Sequence, residues 1–308
     1  MLLLIVGITG DLGQRLAWAA LKRGLEIRGL GRNPKKLGKD LTSRLESFVT
    51  SDSYQDIAAL DRALTGVDGV ICAYPMDPVL YLDGGLLLLR AAERAQVRLF
   101  VAPTWTSNWT RIAYGEFEVY DSILAFRDHA SRTSPINPVY IINGAFAEYT
   151  LAPGGPAFES DGLTAKLRYW GDVLHQKVPW TTMDDAAHWT IELIATDATV
   201  QAGEGGIFQF QSGCDSYESL AKVYEQTMGV KVELVCEGDL TMLRDALERE
   251  RRVTGRSASM QYLYLAWSLI AADGRWQLQA PVSHLKHEAT TFAQHLAKRA
   301  GKTPLAIQ

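Results

Sequence analysis

Three glycines spaced three residues apart form the first pattern in this sequence that points to a particular chemistry, the binding of phosphate groups. Gly7, Gly10 and Gly13 directly follow five consecutive apolar residues, as expected after a buried parallel strand. In this context the first glycine allows a tight turn, the second lets the backbone approach a pyrophosphate, and the third lets the next helix pack closely. Free N–H groups at that helix N-terminus favour anions. The stretch predicts a dinucleotide-binding loop rather than an ordinary strand–turn–helix, and Thr9 and Leu12 belong to the same loop.

The end of the second predicted strand, Glu26–Leu30, carries the cofactor preference. An acidic residue there would accept the ribose 2′-hydroxyl of NAD, whereas an arginine suits the 2′-phosphate of NADP. Arg32 follows this strand, with Lys35 and Lys36 just beyond it. A guanidinium can hold a phosphate at two points and an ammonium adds a point charge. We therefore predict NADP(H), bound by Arg32 and Lys36; a solvated turn is the alternative.

Aromatic and hydroxyl side chains are concentrated in the segment 103–110, just after the fifth predicted strand. Thr104 is predicted to contact the cofactor. The predicted substrate wall consists of Trp105, Thr106 and Trp109, together with Tyr149 further along the chain. The alternative is a loop whose tryptophans only pack on the sheet.

The elements that position these residues alternate between strands and helices. This order predicts a parallel sheet with right-handed crossovers, and ligands bind at the carboxyl ends of the strands of such a sheet. After the first two strands, we predict strands at 48–50, 69–75, 97–103 and 138–144, and helices at 56–64, 80–95 and 116–132. The strand ends at Gly7, Arg32, Tyr74-Pro75 and Thr104 are expected to line one crevice. Tyr74, Pro75, Gly144 and Phe146 are also predicted to contact the cofactor.

The second half of the chain is less regular. It contains the Pro- and Gly-rich runs 153–156 and 203–206, a predicted strand at 206–211 and predicted helices at 217–228 and 239–251. We predict an α/β fold: a Rossmann-type doubly wound parallel sheet in an NADP-binding domain (1–150), with a smaller C-terminal α+β substrate lobe (151–308) that partly returns to the first domain.

Composition excludes several classes of protein. The chain has 308 residues, a net charge of -4 and an apolar content of 47%. It has no basic footprint for nucleic acid or an anionic membrane, and no apolar run long enough for a signal peptide or a bilayer span. The three cysteines are too few and too far apart for a disulfide framework or a zinc site. We expect a cytoplasmic protein with a small-molecule substrate; a homodimer is left open.

Several segments together resemble the NmrA-like and isoflavone-reductase-like branch of the atypical short-chain dehydrogenases. The matching pieces, in the same order as in that family, are Gly7–Gly13, Gly31–Pro34, Pro103-Thr104, Tyr120–Ser122 with Phe126-Arg127, Asn143–Glu148 and Thr181–Ala187. The resemblance implies a Rossmann domain that binds NADP(H) and a small substrate lobe. It also implies either reduction of secondary metabolites or a regulatory role.

The chain departs from this family at the catalytic lysine. Family reductases carry that lysine in a segment of the form Tyr-Asp-x-Lys, where this chain has Ile123, and no Tyr-x-x-x-Lys pair replaces it. Proton transfer must then come from another group. The nearby candidates are Tyr120, Asp121 and His129; the alternative roles are a helix cap for Asp121 and a surface position for His129.

Two further clusters are interpreted as structural. His284, His287 and Glu288 lack the order of a zinc-protease motif and are predicted to form a solvated face of a polar C-terminal helix, so no metal site is expected. The tyrosines of 260–267 are predicted to pack in the core rather than to form a lid.

Three functions are compatible with these observations. The first is an NADPH-dependent reductase of a small aromatic or polyketide-like metabolite. The second is a non-redox isomerase, dehydratase or cyclase that works by positioning its substrate. The third is an NADP(H)-sensing regulator without turnover, which the missing lysine favours.

Overall fold

The computed structural model describes residues 1–150, 158–161, 163–279 and 281–300. The strands are β1 (Leu2–Val6), β2 (Glu26–Gly31), β3 (Ser47–Thr50), β4 (Gly69–Cys72), β5 (Leu99–Val101), β6 (Val139–Ile142), β7 (Ala145–Phe146), β8 (Phe158–Ser160), β9 (Ala165–Tyr169), β10 (Lys177–Thr181), β11 (Gly206–Gln209), β12 (Gly213–Ser216) and β13 (Val232–Cys236).

The α-helices are α1 (Asp11–Lys22), α2 (Lys39–Thr42), α3 (Ile57–Leu64), α4 (Gly85–Arg94), α5 (Glu118–Thr133), α6 (Ala147–Thr150), α7 (Met183–Thr196), α8 (Ala198–Gln201), α9 (Tyr217–Met228), α10 (Leu240–Thr254), α11 (Leu263–Ala272) and α12 (Phe292–Arg299). Short 3-10 turns lie at Pro34–Lys36, Trp109–Arg111, Gly171–His175 and Arg256–Gln261.

Seven of the described strands form one sheet in the order β11-β6-β5-β4-β1-β2-β3, and every pairing in it is parallel. The strand order reverses between β1 and β4, which is the switch point where such sheets bind dinucleotides. The predicted Rossmann-type fold is confirmed. Because all strands run the same way, their carboxyl ends share one edge, where Gly7, Arg32 and Tyr74 lie.

Both faces of the sheet are covered. Alternate β1 residues enter different cores: Leu4 and Val6 pack with α4 and α5, whereas Leu3 and Ile5 pack with α1 and α7. Side chains that alternate across a strand explain why the five apolar residues of β1 are consecutive rather than spaced by two.

The second half of the chain returns to the first. Strand β11 forms an edge of the central sheet beside β6, and α7 packs along α1. Two three-stranded sheets, β12-β10-β7 and β13-β9-β8, lie outside the central sheet. Strand β7 pairs with β10, so the chain segment after β6 is held by the second half.

The predicted helix at 80–95 is divided. Residues Leu80–Gly84 form a π-helical turn, and α4 begins at Gly85. A Cβ atom at Gly85 would lie 3.2 Å from the Phe126 ring, so the glycine allows α4 to approach α5 closely. None of the described helices is long and apolar enough to cross a membrane.

Candidate functional site

The glycine loop after β1 has the close backbone packing predicted from its spacing. Gly7 has φ +76°, and a Cβ there would lie 2.6 Å from the Ala73 carbonyl oxygen beyond β4. A Cβ at Gly13 would lie 2.4 Å from the Gly7 carbonyl oxygen, a contact that only glycine avoids. The Gly10 N–H donates to the same oxygen at 2.9 Å. The loop thus brings the start of α1 directly against the end of β1.

The N-terminus of α1 has no side-chain cap, because its N-cap residue is Gly10. The first amides of the helix therefore have no side-chain acceptor, and with the helix dipole they form an anion-binding position. Asp11 lies beside this position, but Arg15 is within 3.1 Å of its carboxylate and also contacts Asp184 on α7.

Arg32 and Lys36 lie just beyond β2, as predicted. Both are exposed, and neither side chain forms a hydrogen bond or an ion pair with the described residues. The Thr9 side chain lies about 3.4 Å from where a Cβ on Gly31 would stand, so the glycine loop and the Arg32 turn are adjacent. Leu12 packs against the α1-side core.

Tyr74 and Pro75 follow β4 at the same edge of the sheet. Tyr74 is half-buried, and burial raises its pKa, so its hydroxyl stays protonated. Thr104 is buried, and its hydroxyl accepts the Ile141 N–H at 2.8 Å. Its side chain ties the end of β5 to β6.

A cluster of three hydroxyl groups lies at the end of β5. The Tyr120 hydroxyl is 2.9 Å from Thr106 Oγ1 and also hydrogen-bonds to Ser107 Oγ. All three residues are buried, and burial raises the pKa of Tyr120, although its two hydroxyl partners oppose that shift. Sequence reasoning selected Tyr120 and Thr106 but missed Ser107, because a serine in a polar loop carries no distinguishing signal.

The two tryptophans of the predicted substrate wall are packing residues. Trp109 is fully buried with its ring against Tyr140, and Trp105 is buried and donates to Thr190 Oγ1 at 3.1 Å. The assignment of both to a substrate wall is therefore corrected to the alternative role. The loop pairs with β6 through Thr106 and Ile142, which turns its large side chains into the two cores.

Two of the three predicted proton donors are directed elsewhere. His129 is exposed, more than two turns beyond Tyr120 on α5, and its Nε2 is 2.9 Å from Arg90 Nη2, so its predicted place in the crevice is wrong. Asp121 lies inside α5 and accepts the Gly115 N–H at 2.9 Å, so it holds the turn before the helix. The N-cap of α5 is Phe117, so the capping role given as the alternative for Asp121 is also wrong. Ile123 is buried in the core.

The segment after β6 lies at the same carboxyl edge of the sheet as the glycine loop. Gly144 has φ +69°, and a Cβ there would lie 2.1 Å from the Pro179 carbonyl oxygen. Phe146 and Tyr149 form an edge-to-face pair with centroids 6.0 Å apart, and Tyr149 is exposed. Asn143, which sequence reasoning did not select, is fully buried, and neither Oδ1 nor Nδ2 has a partner among the described residues.

Glu148 is a buried carboxyl group that was also missed. Both of its oxygens accept the Met183 N–H at the start of α7, at 2.9 and 3.1 Å. Burial raises its pKa to about 7, against the opposing effects of that N–H and of the Arg15 charge. This carboxyl joins the segment after β6 to α7.

The prediction that His284, His287 and Glu288 lie on a polar helix is wrong, because the segment 281–290 is not helical. It contains no helix, because buried carboxylates on α7 take its N–H groups. Glu192 accepts those of Lys286 and His287, and Asp185 accepts that of Thr290. His287 Nε2 also donates to Asp185 at 2.8 Å, so His287 is not part of a solvated face. The described residues contain no group of three or more His, Cys, Asp or Glu side chains placed to hold a metal ion.

The residues at this edge fit a dinucleotide with a 2′-phosphate. A glycine cradle that a Cβ would fill leads to a helix N-terminus without a side-chain cap, and two cations that pair with none of the described residues lie beside it. An orphaned buried carboxamide, that of Asn143, lies just after the carboxyl end of β6. The donors are therefore arranged for a long anionic ligand with a polar ring at its other end.

The chain belongs to the NmrA-like family, whose sequence profile matches residues 1–245. The resemblance stated from the motifs is thereby confirmed.

Among characterised proteins, the chain is similar to pinoresinol reductase 2 of Arabidopsis thaliana, with 26% identity over 216 residues. That match covers 64% of this chain and 65% of the length of the reductase.

Solved structures of reductases share the fold at low sequence identity. An isoflavone reductase has 18% identity and a TM-score of 0.76, with coverage of 96% of this chain and 98% of its own. The binary complex of leucoanthocyanidin reductase with NADPH from Vitis vinifera has 17% identity and a TM-score of 0.76, with coverage of 98% and 100%.

Proposed function

We propose that the protein is an NADPH-dependent reductase of a small aromatic metabolite. The observation that carries this proposal is the Tyr120–Ser107–Thr106 hydroxyl cluster, which follows the carboxyl end of β5 in the same parallel sheet that carries the dinucleotide-type glycine loop after β1. The family and the names of the similar proteins support the same class of reaction.

The chain's own residues would hold the two ends of NADP(H) differently. The start of α1 would take the pyrophosphate, and Arg32 with Lys36 would take the 2′-phosphate. Neither cation has a protein partner among the described residues. Phosphate can therefore bind to them without first breaking an ion pair with any of those residues. NADPH, when bound, supplies the hydride.

Tyr120 would donate the proton that a carbonyl-like or ether oxygen needs as negative charge develops on it. Burial raises the pKa of its hydroxyl, so Tyr120 keeps its proton at neutral pH and can act as an acid but not as a base. Ser107 and Thr106 hydrogen-bond to the hydroxyl and fix its direction. Because Ile123 stands in place of the family lysine, that cation does not lower the pKa of this tyrosine, and we expect slow turnover.

The substrate side of the crevice is formed by Phe146 and Tyr149. The exposed Tyr149 ring stands edge-on to Phe146, which suits a planar aromatic ligand. The similar proteins are named for pinoresinol, isoflavones and leucoanthocyanidins, all of which carry aromatic rings. We infer a substrate of this class.

Titration of the purified protein with NADPH and with NADH tests the cofactor half of the proposal. Wild type should prefer NADPH, and Arg32→Ala should weaken NADPH binding tenfold to a hundredfold, from a charge-assisted contact of about 1.5–3 kcal/mol, without changing NADH binding. The matched control is Arg62→Ala, because Arg62 on α3 is also exposed and pairs with none of the described residues.

NADPH oxidation in the presence of pinoresinol or an isoflavone tests the chemical half. Oxidation that depends on the added compound supports the reductase. NADPH binding without oxidation across such a panel would favour the sensor or the non-redox enzyme. Equal affinity for the two cofactors, unchanged in Arg32→Ala, would remove the proposed site.

A further inference from the structure

We propose that Asn143 is a positioning residue whose carboxamide pairs with the carboxamide of the NADP(H) nicotinamide ring. This inference rests on the proposed function and extends it to the far end of the cofactor. Asn143 lies directly after β6, opposite the glycine loop along the same edge of the sheet.

The backbone of Asn143 is fixed on both sides. Its N–H donates to the Thr106 carbonyl at 3.0 Å, and its carbonyl accepts the Thr181 hydroxyl at 2.6 Å. Gly144 follows under the Pro179 carbonyl, where no Cβ fits. Two separate segments of the chain, the loop at Thr106 and strand β10, thus hold this one residue in place.

The side chain, by contrast, makes none of its hydrogen bonds with the described residues. Asn143 is fully buried, and both Oδ1 and Nδ2 lack a partner there. Leaving a buried amide unpaired is costly, so such a group calls for a ligand or another specific partner.

Asn108 provides the internal comparison. It is also fully buried and lies in the loop that contacts β6, but both ends of its amide are used. Its Nδ2 donates to the Gln277 carbonyl at 2.9 Å, and its Oδ1 accepts the Thr110 hydroxyl at 2.6 Å. The described fold therefore satisfies one buried asparagine of this region and leaves the other for a ligand.

The unpaired group offers one acceptor and two donors from a planar amide. A second primary carboxamide complements it with two parallel hydrogen bonds. Asn143 is bonded through its backbone to Thr106, whose hydroxyl contacts Tyr120. The nicotinamide carboxamide is attached next to the ring carbon that carries the hydride. Holding it at Asn143 would therefore keep that carbon near the Tyr120 hydroxyl.

Three probes separate this role from cofactor binding in general. They are NADP⁺, 2′-phospho-ADP-ribose, which lacks the nicotinamide ring, and the 3-acetylpyridine analogue of NADP⁺, in which a methyl ketone replaces the carboxamide. We expect wild type to bind NADP⁺ about tenfold to a hundredfold more tightly than the acetylpyridine analogue. Asn143→Leu should lose this preference and bind 2′-phospho-ADP-ribose as wild type does.

Thermal unfolding of the ligand-free variants gives a readout independent of the cofactor. Asn143→Leu replaces an unpaired amide with an apolar side chain of similar size, and should raise the melting temperature. Asn108→Leu removes two satisfied hydrogen bonds and should lower it. A fall for Asn143→Leu equal to that of Asn108→Leu would mean that the Asn143 amide is already paired, and would overturn the inference.

The outcomes also separate this inference from the proposed function. If wild type binds neither NADP⁺ nor 2′-phospho-ADP-ribose, the proposed function fails and this inference fails with it. If both bind but the acetylpyridine analogue binds as tightly as NADP⁺, the inference alone is overturned. That second result uses wild type only, so it does not depend on how any variant folds.

Discussion

Replacing Asp185 with asparagine should weaken the attachment of the segment 281–290 to α7, which Glu192 would still hold at Lys286 and His287. The Asp185 carboxylate is buried and accepts hydrogen bonds from His287 Nε2, Ser212 Oγ, and both the N–H and the hydroxyl of Thr290, at 2.6 to 2.8 Å. The carboxamide introduced by the substitution would be neutral and would turn its N–H groups towards other donors. We expect Asp185→Asn to lower the free energy of unfolding by about 3 kcal/mol at pH 7.

The same carboxylate makes stability depend on pH. Burial raises the pKa of Asp185, but the hydrogen bonds from its partners outweigh burial and lower the pKa to about 2. Against about 3.9 in the unfolded chain, the difference corresponds to roughly 2.6 kcal/mol. A lowered pKa stabilises the fold above about pH 4, and this stabilisation is lost as the pH falls towards 2.

Urea unfolding of wild type and Asp185→Asn at pH 7, 5, 4 and 3 measures this directly. The stability difference between the two proteins should narrow by about 1 kcal/mol from pH 5 to pH 3, because only wild type takes up this proton on unfolding. Asp61→Asn is the control: Asp61 forms an exposed pair with Arg94 and should cost less than about 1 kcal/mol. A difference that stays constant with pH would refute the account of the Asp185 cluster.

Two further predictions concern the crevice. Gly13→Ala should destabilise the protein by about 1–3 kcal/mol and weaken NADPH binding, because the new Cβ meets the Gly7 carbonyl. Gly38→Ala is the control: a Cβ there meets nothing within 4 Å, so it should cost less than Gly13→Ala, by no more than the loss of a glycine N-cap of α2, and leave NADPH binding unchanged. Urea unfolding and calorimetry measure the two effects. Tyr120→Phe should lower kcat by about 10²–10⁴ and leave the NADPH Kd unchanged, and wild-type kcat should show no tyrosine ionisation below about pH 10, as a pH–rate profile would reveal.

The sequence predicted best what depends on local backbone chemistry. The glycine loop needs glycine at Gly7 and Gly13 because backbone atoms stand where a Cβ would be, and that requirement is visible as spacing. The parallel sheet was predicted from the alternation of strands and helices, which is also visible in the sequence. The predicted helix at 217–228 has the observed limits, since Ser216 caps it and Gly229 ends it in a left-handed conformation.

What the sequence could not predict depends on tertiary contacts. Trp105 and Trp109 were expected near a ligand because of their loop, but the bridge from Thr106 to Ile142 turns them into the cores. His287 was placed on a helix because its neighbours are polar, whereas buried acids about 100 residues away hold it outside any helix. Asn143 stands out because its buried side chain has no hydrogen-bond partner among the described residues, which cannot be read from the sequence.

A crystal structure of the protein with bound NADPH tests the central claim most directly. The account predicts the 2′-phosphate at Arg32, the pyrophosphate at the start of α1, and the nicotinamide carboxamide at Asn143, with the hydride-bearing carbon on the side of the Tyr120 hydroxyl. A dinucleotide bound elsewhere, or a nicotinamide ring enclosed so that no substrate can reach it, would contradict the assignment of this crevice as a reductase site.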